Sequence, residues 1–436
     1  MSTSLSRRAL VAPLFRGAAS RRSASSSPAA SVASAPVASS DTSTATPPGY
    51  VVVDHRGRHS ALPGRFSADA WLASLPRGAY VNARTHGRDA VFQLAFHSRK
   101  LAESIARMRD ADADADDDAP SGEAPSGEAP SGTPSSSSPP PPSASSRRAA
   151  ELANLTPPPT PEDVACVVEP LMAEALARLR ERWPSVEEAK LVAHVAWGAN
   201  PGAASPAAFP PSVSDSERRA ADLIATCAAS PLDPPPPRPV YAAFDGAGRS
   251  DPAAKDSAWA AERGKRFRSF VEASEEKPAV VAPHELLLVD ETTGDVLEGA
   301  SSNLVAFVDG VAYTADEGVL RGSVRDVALE ALELEGVRRV LAPPPGGVPG
   351  AARWEGAIIC STSRLALPLD GVIIGGKGGG AGEGEAVVPL DASASGVAAR
   401  IARRVAAMVA GASEVPSRNP RTRDNRASFG GRAGRA

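Results

Sequence analysis

The sequence predicts an α+β body, because helical and strand periodicities both recur along it and one hairpin signal stands out. From His97 onward, Leu101, Ile105 and Met108 recur on one helical face. Asn303 to Thr314 reads as a strand, an Asp309-Gly310 turn and a second strand. Val324, Val327, Ala328, Ala331 and Leu332 then form an apolar stripe at helical spacing, with Ser323 and Asp326 as a capping-box-like start and Gly336 as a stop. Leu191 to Ala196 and Glu285 to Val289 supply two further strands.

Composition sets the limits of that body. Of 436 residues, 42 are Pro and 37 Gly, concentrated in tracts too poor in apolar surface to offset chain entropy. Residues 1–48 hold Arg7, Arg8, Arg16, Arg21 and Arg22, many serines and no acid before Asp41, a pattern that resembles an organelle transit peptide. A disordered leader bound for the plastid is expected, with the mitochondrion as the alternative. An N-terminal α/β domain is expected over 49–199, broken by a disordered insertion at 110–160 where Asp-Ala alternation gives way to PSGEA repeats and a polyproline run. An irregular insertion or interdomain linker is expected over 200–239, with a short helix from Glu217 to Thr226. A C-terminal domain follows over 240–410 and a disordered basic tail over 411–436.

The 47 basic and 51 acidic residues nearly balance, so nothing draws the chain electrostatically to nucleic acid or to an anionic membrane. No apolar run approaches the roughly 20 residues that cross a bilayer. Cys166, Cys227 and Cys360 are too few and too scattered for a disulfide framework, and neither Cys nor His shows zinc-ligand spacing. Gly371 to Gly378 grazes a phosphate-loop pattern, but Gly378 stands where Ser or Thr would hold magnesium and no helical pattern follows, so it reads as a glycine loop.

One constellation carries chemistry. Glu298-Gly-Ala-Ser-Ser302-Asn303, the hairpin, then Gly318-Val-Leu320-Arg-Gly-Ser323-Val324-Arg325 resembles the signature of the class IV pyridoxal-phosphate enzymes. That family comprises branched-chain aminotransferases, D-amino-acid aminotransferases and aminodeoxychorismate lyase. Gly78-Ala-Tyr80-Val-Asn-Ala-Arg84 with His97 to Ser104, and Gly356 to Pro368 with its Ser361-Thr362-Ser363 turn, are similar to two further family segments. The resemblance implies a smaller N-terminal α/β domain, a larger hairpin-rich C-terminal domain, and pyridoxal 5'-phosphate in the cleft between them. It also implies a homodimer whose small-molecule partners are an amino acid and a 2-oxo acid. An aminotransferase is the leading expectation. A lyase acting on 4-amino-4-deoxychorismate and a non-catalytic relative are the alternatives.

The chemistry requires an amine to bond the cofactor aldehyde and an acid to keep the pyridine nitrogen protonated. The resemblance places the acid at Glu298. The lysine-to-glutamate distance that the resemblance implies would by itself select Lys265 as the amine. The neighbours select Lys255, because Ala254-Lys255-Asp-Ser257-Ala-Trp259 with Arg263 looks like the lysine segment of plant-type members, and Gly264 to Pro278 reads as an insertion that lengthens the spacing. Phosphate calls for helix-start N–H groups and hydroxyls, expected at Ser323, Val324, Ser361 and Thr362. The family's phosphate arginine falls at Lys100, with Arg99 one place earlier, so either residue could serve. Asn303 is expected beside the cofactor, and Tyr80, Arg84 and Ser302 beside the substrate.

Overall fold

Small side chains let strands be covered on both faces, and the first sheet is built that way. A computed structural model of the chain describes residues 49–117, 158–197, 219–220, 223–275, 282–374 and 386–416. In chain order come β1 (Tyr50–Asp54), β2 (His59–Leu62), α1 (Ala68–Ala73), β3 (Ala79–His86), β4 (Ala90–Phe92), α2 (Leu94–Asp117), α3 (Pro161–Arg182), β5 (Ala189–Trp197) and β6 (Leu223–Pro231). β5 pairs antiparallel with β3 and β6, and β6 passes the sheet on to β1 and β2. Leu101, Ile105 and Met108 of α2 and Val164, Val168 and Met172 of α3 pack on Val81, Leu191 and Cys227. Thr160 starts α3 with a reciprocal capping box to Asp163, and Pro161 occupies the first turn, where its missing N–H is harmless.

Two expectations change here. Residues 223–231, placed in an irregular linker with a helix ending at Thr226, are a strand paired on both sides. The run Leu223-Ile-Ala-Thr-Cys-Ala-Ala-Ser lacks the alternation and bulk that mark strands, because small residues fit a strand packed on both faces. Only Arg219 and Ala220 of the expected helix are helical among the described residues. Residues 110–117, placed in the disordered insertion, instead continue α2, since the interleaved alanines sustain it. The leader at 1–48, the repeats at 118–157 and the glycines at 375–385 lie outside the described residues.

The second half contributes β7 (Tyr241–Ala247), α4 (Ser257–Glu275), β8 (Glu285–Val289), β9 (Val296–Gly299), β10 (Asn303–Val308), β11 (Val311–Tyr313), α5 (Ser323–Leu334) and β12 (Arg339–Val340). It continues with β13 (Gly356–Ser361), β14 (Leu365–Pro368), β15 (Gly371–Ile374), β16 (Ala386–Pro389), α6 (Val397–Val409) and β17 (Ser413–Glu414). Two five-stranded sheets result, ordered β12-β11-β10-β13-β14 and β16-β15-β7-β8-β9. The Asp309-Gly310 turn is real: both residues have positive φ, 51° and 72°, as a two-residue hairpin of this hand requires.

β10 is buried along its whole length. Val305 and Phe307 face α5 and α6 through Val324, Val327, Ile401 and Val405, while Leu304 and Ala306 face Leu287 and Val372 of the other sheet. The stretch read as an insertion from Gly264 is helical as far as Glu275, within α4. Ser413 and Glu414, placed in a disordered tail from residue 411, instead pair with Phe92 and Val91 at the edge of the first sheet, making its order β17-β4-β3-β5-β6-β1-β2; the rest of that tail, 417–436, lies outside the described residues. Among the described residues no helix is long and apolar enough to cross a membrane.

Phe307 is 1% exposed at the centre of the β10 packing. Phe307→Ala should lower the unfolding free energy by about 3–5 kcal/mol, measured as a fall in denaturant midpoint at unchanged slope.

Candidate active site

A cavity of about 540 Å³ opens where the first sheet meets the second half, lined by Tyr80, Lys100, Lys255, Glu298, Asn303, Ser323 and Thr362 among others. These come from widely separated stretches of chain. Backbone contacts bring them together.

Lys255 is set by its main chain. Its N–H donates to Ser104 Oγ at 3.0 Å, and its carbonyl accepts from the Tyr80 N–H at 2.9 Å. Two residues on, the Ser257 N–H donates to Gly78 O at 2.9 Å while Gly78 N–H donates to Ser257 Oγ at 3.0 Å. The close approach needs glycine at 78, where a Cβ would lie 2.5 Å from Val195 O and 2.7 Å from His194 Nε2. Lys255 Nζ ends 5.4 Å from the Tyr80 ring centroid. Burial, and then the cations of Arg249, Arg263 and Lys100, bring its ammonium down to about 7 against the pull of Glu298. Near neutral pH a large share of the amine is therefore free to act as a nucleophile or a base. Lys265 is exposed on α4 and does not line the cavity.

Glu298, 2% exposed, is held by both oxygens. Oε1 accepts from Arg249 Nε at 3.1 Å and from Arg249 Nη2, and Oε2 accepts from Asn303 Nδ2 at 3.2 Å and from the Leu320 N–H at 3.1 Å. Asn303 Nδ2 also reaches Leu320 O at 2.5 Å. Gly322 leaves room for this amide, since a Cβ there would sit 2.5 Å from Asn303 Oδ1. Burial raises the Glu298 carboxyl, and the Arg249 guanidinium opposes that rise most strongly.

A polar corner lies at the start of α5. Gly322 is the N-cap and makes no side-chain cap bond, so the expected capping box does not form. Ser323 instead lies in the first turn with its Oγ 3.5 Å from Thr362 Oγ1. N–H groups in a first helical turn have no partner within the helix and favour anions. Ser361 Oγ accepts from Arg364 Nε at 3.3 Å, and Val324 and Lys100 complete the lining.

Of the two candidate phosphate cations, the cavity takes Lys100, which is 8% exposed and donates to Glu103 at 3.3 Å. Arg99 is corrected: adjacent helix positions diverge by about 100°, so it faces outward, 5.4 Å from the Phe96 ring. Arg84 is also corrected. It lies four residues beyond Tyr80 on β3, about 13 Å along the strand, donates to Thr85 O at 3.3 Å, and does not line the cavity. Ser302 lines it, but its hydroxyl donates to Glu285 Oε2 at 2.8 Å.

Sequence reading assigns no cavity role to three groups. Arg249 sits in a polar loop six residues before Lys255, where nothing in the pattern marks it. Arg263 was quoted only as part of a motif; two turns after Lys255, it donates to the Tyr80 hydroxyl at 2.9 Å and pairs with Asp69. His97 lines the cavity with Nε2 3.0 Å from Phe92 O, and burial together with nearby Lys255 holds it uncharged, at about 4.

No family model matches the chain, and no curated protein matches it. Solved structures do. A hypothetical aminotransferase from Mycobacterium tuberculosis in PLP-bound form is similar at 16% identity and TM-score 0.49, covering 83% of this chain and 99% of its own. A branched-chain aminotransferase from Thermoproteus uzoniensis with norvaline is similar at 15% identity and TM-score 0.48, covering 83% and 95%. One from Thermobaculum terrenum in PLP form gives 14% and 0.48, covering 84% and 95%.

The Lys255 amine has a pH signature in stability. Its folded value of about 7 lies below the 10.5 of an unperturbed lysine, so between these limits the unfolded chain holds more protons and this group's contribution to stability rises with pH. The unfolding free energy of the wild type minus that of Lys255→Met should climb between about pH 7 and pH 10. A flat difference across that window would contradict the placement of the amine.

Proposed function

We propose that the chain is a pyridoxal-phosphate-dependent aminotransferase of the class IV kind, moving an amino group between an amino acid and a 2-oxo acid. The observation that carries the reading is the Lys255 amine, held near neutrality in the same cavity as the buried Glu298 carboxylate. The residues present fit the cofactor. When bound, pyridoxal phosphate supplies an aldehyde for an amine and a ring that accepts the electrons released at the substrate Cα.

Each side chain then has a task. Lys255 Nζ would supply the amine for the aldehyde and, once free, would carry a proton from the substrate Cα to the carbon that had been the aldehyde. Glu298 is the group that holds a proton at the ring nitrogen. The first-turn N–H groups of Ser323 and Val324, with the hydroxyls of Ser323, Ser361 and Thr362, hold the phosphate, and Lys100 adds a point charge where an arginine would bind in bidentate fashion. Tyr80, positioned by Arg263, forms the wall beneath the amine. The proposal extends to plant-type membership and a homodimer, on the motif resemblance, and to plastid import, on the leader composition.

Incubation with pyridoxal 5'-phosphate, borohydride reduction and peptide mass mapping should place the pyridoxyl group on Lys255. Lys255→Ala should lose the label and Lys265→Ala keep it; label on Lys265, or none, overturns the assignment. The holoenzyme should transfer amino groups to a 2-oxo acid and form no 4-aminobenzoate from 4-amino-4-deoxychorismate. Residues 1–48 fused to a fluorescent protein should direct it to plastids in plant cells, and a cytosolic signal would remove that part of the proposal.

A further inference from the structure

Arg249 has no place in the proposed chemistry, yet it is among the most firmly held groups of the cavity. Its side chain is 8% exposed and pairs with Glu298, and the guanidinium carbon lies 5.7 Å from the Trp259 ring centroid. Trp259 is itself fixed, its Nε1–H donating to Ala300 O at 2.9 Å. Lys255 Nζ faces the same space and forms no ion pair with any described residue; its side-chain contact is the Tyr80 ring.

The arrangement poses a chemical problem that Arg249 answers. A carboxylate and an amine in one low-dielectric cavity attract each other, and a Lys255–Glu298 pair would keep the lysine as an ammonium, useless as a nucleophile. An arginine stays charged at every relevant pH, whereas a lysine can give up its proton. We propose that Arg249 is a positioning residue for both groups: by occupying Glu298 Oε1 it withholds the carboxylate from Lys255 and keeps the amine unpaired. Asn303 and the Leu320 N–H fix the other oxygen, so the carboxylate cannot turn toward Lys255.

The charged and titratable groups facing Lys255 are Arg249 from the loop after β7, Arg263 from α4, Glu298 from β9, and Lys100 and His97 from α2, with Tyr80 from β3 beneath. Among the cations, Arg249 acts most strongly on Lys255. Its removal raises the ammonium twice over, since a like charge is lost and Glu298 becomes available. The inference concerns side chains of the chain itself, and it rests on the proposed function only for what the two groups act upon.

The test needs no cofactor. The chain is labelled with acetic anhydride over a range of pH, and acetylation of the Lys255 peptide is followed by mass spectrometry, with exposed Lys265 as internal reference. The wild-type midpoint is expected near the value of about 7. Arg249→Gln should move it about one pH unit toward alkaline. Arg249→Lys should stay closer to wild type. Should Arg249→Gln fail to fold by circular dichroism, the Arg249→Gln/Glu298→Gln pair strands no charge and should still titrate on the alkaline side of wild type, because the lost cation outweighs the lost carboxylate. Wild-type midpoints in Arg249→Gln, or in the double variant where that alone folds, overturn the proposal. A chain that shows these shifts but never takes up pyridoxal phosphate loses the proposed function and keeps this inference.

Discussion

Everything in the cavity depends on one short backbone splice, in which Lys255 and Ser257 dock onto Gly78 and Tyr80 at the end of β3. The splice ties a residue from the second half of the chain to a strand of the first sheet through N–H and C=O groups that would otherwise be orphaned. Because it is made by main chain, it sets where the Lys255 side chain begins whatever the loops before it do. Ser104 of α2 adds a third tether, so the lysine is referenced at once to a strand and to a helix. An amine on so fixed a base has its reach defined, which orientation of a reactive group requires.

The second constraint is electrostatic. Putting an amine, a carboxylate and several arginines in one low-dielectric space is costly unless each charge is matched. The structure matches them in pairs, Arg249 with Glu298, Arg263 with Asp69 and Arg364 with Glu285, and leaves Lys255 as the cation without a partner among them. Burial first, and the pairing scheme with it, thus decides which group titrates near neutral pH. It does so with side chains drawn from loops, strands and a helix that share no local sequence pattern.

That distinction marks what could be read from the sequence. The β10–β11 hairpin, the α5 stripe and the Glu298-to-Arg325 run were legible because each is local: a turn dipeptide, a 3.6 period and a fixed spacing survive in one dimension. That Lys255 lines the cavity was legible through its neighbours Ser257 and Trp259, whereas distance to Glu298 alone pointed to Lys265, which lies outside the cavity lining. β6 was missed because alanine, cysteine and serine in a doubly covered strand produce no alternation. Arg249 was missed because its partner lies 49 residues away and only the tertiary fold joins them. Arg84 and Arg99 were misjudged for a simpler reason: membership in a motif fixes a residue's place along the chain but not the direction of its side chain.

The pairing of β17 with β4 bears on how the protein is made. A ribosome delivers β4 before α2 and β17 only after α6, so the β4 edge of the first sheet stays open while everything between them is made. The sheet that carries Tyr80 can assemble its centre only once β6 has emerged, and it gains its final edge only after α6 is complete. The nascent chain therefore passes through a long interval with an exposed strand edge, during which chaperone engagement or mispairing between polysomal neighbours competes with closure. Truncation between α6 and β17 would prolong that interval indefinitely while leaving every cavity side chain in the sequence.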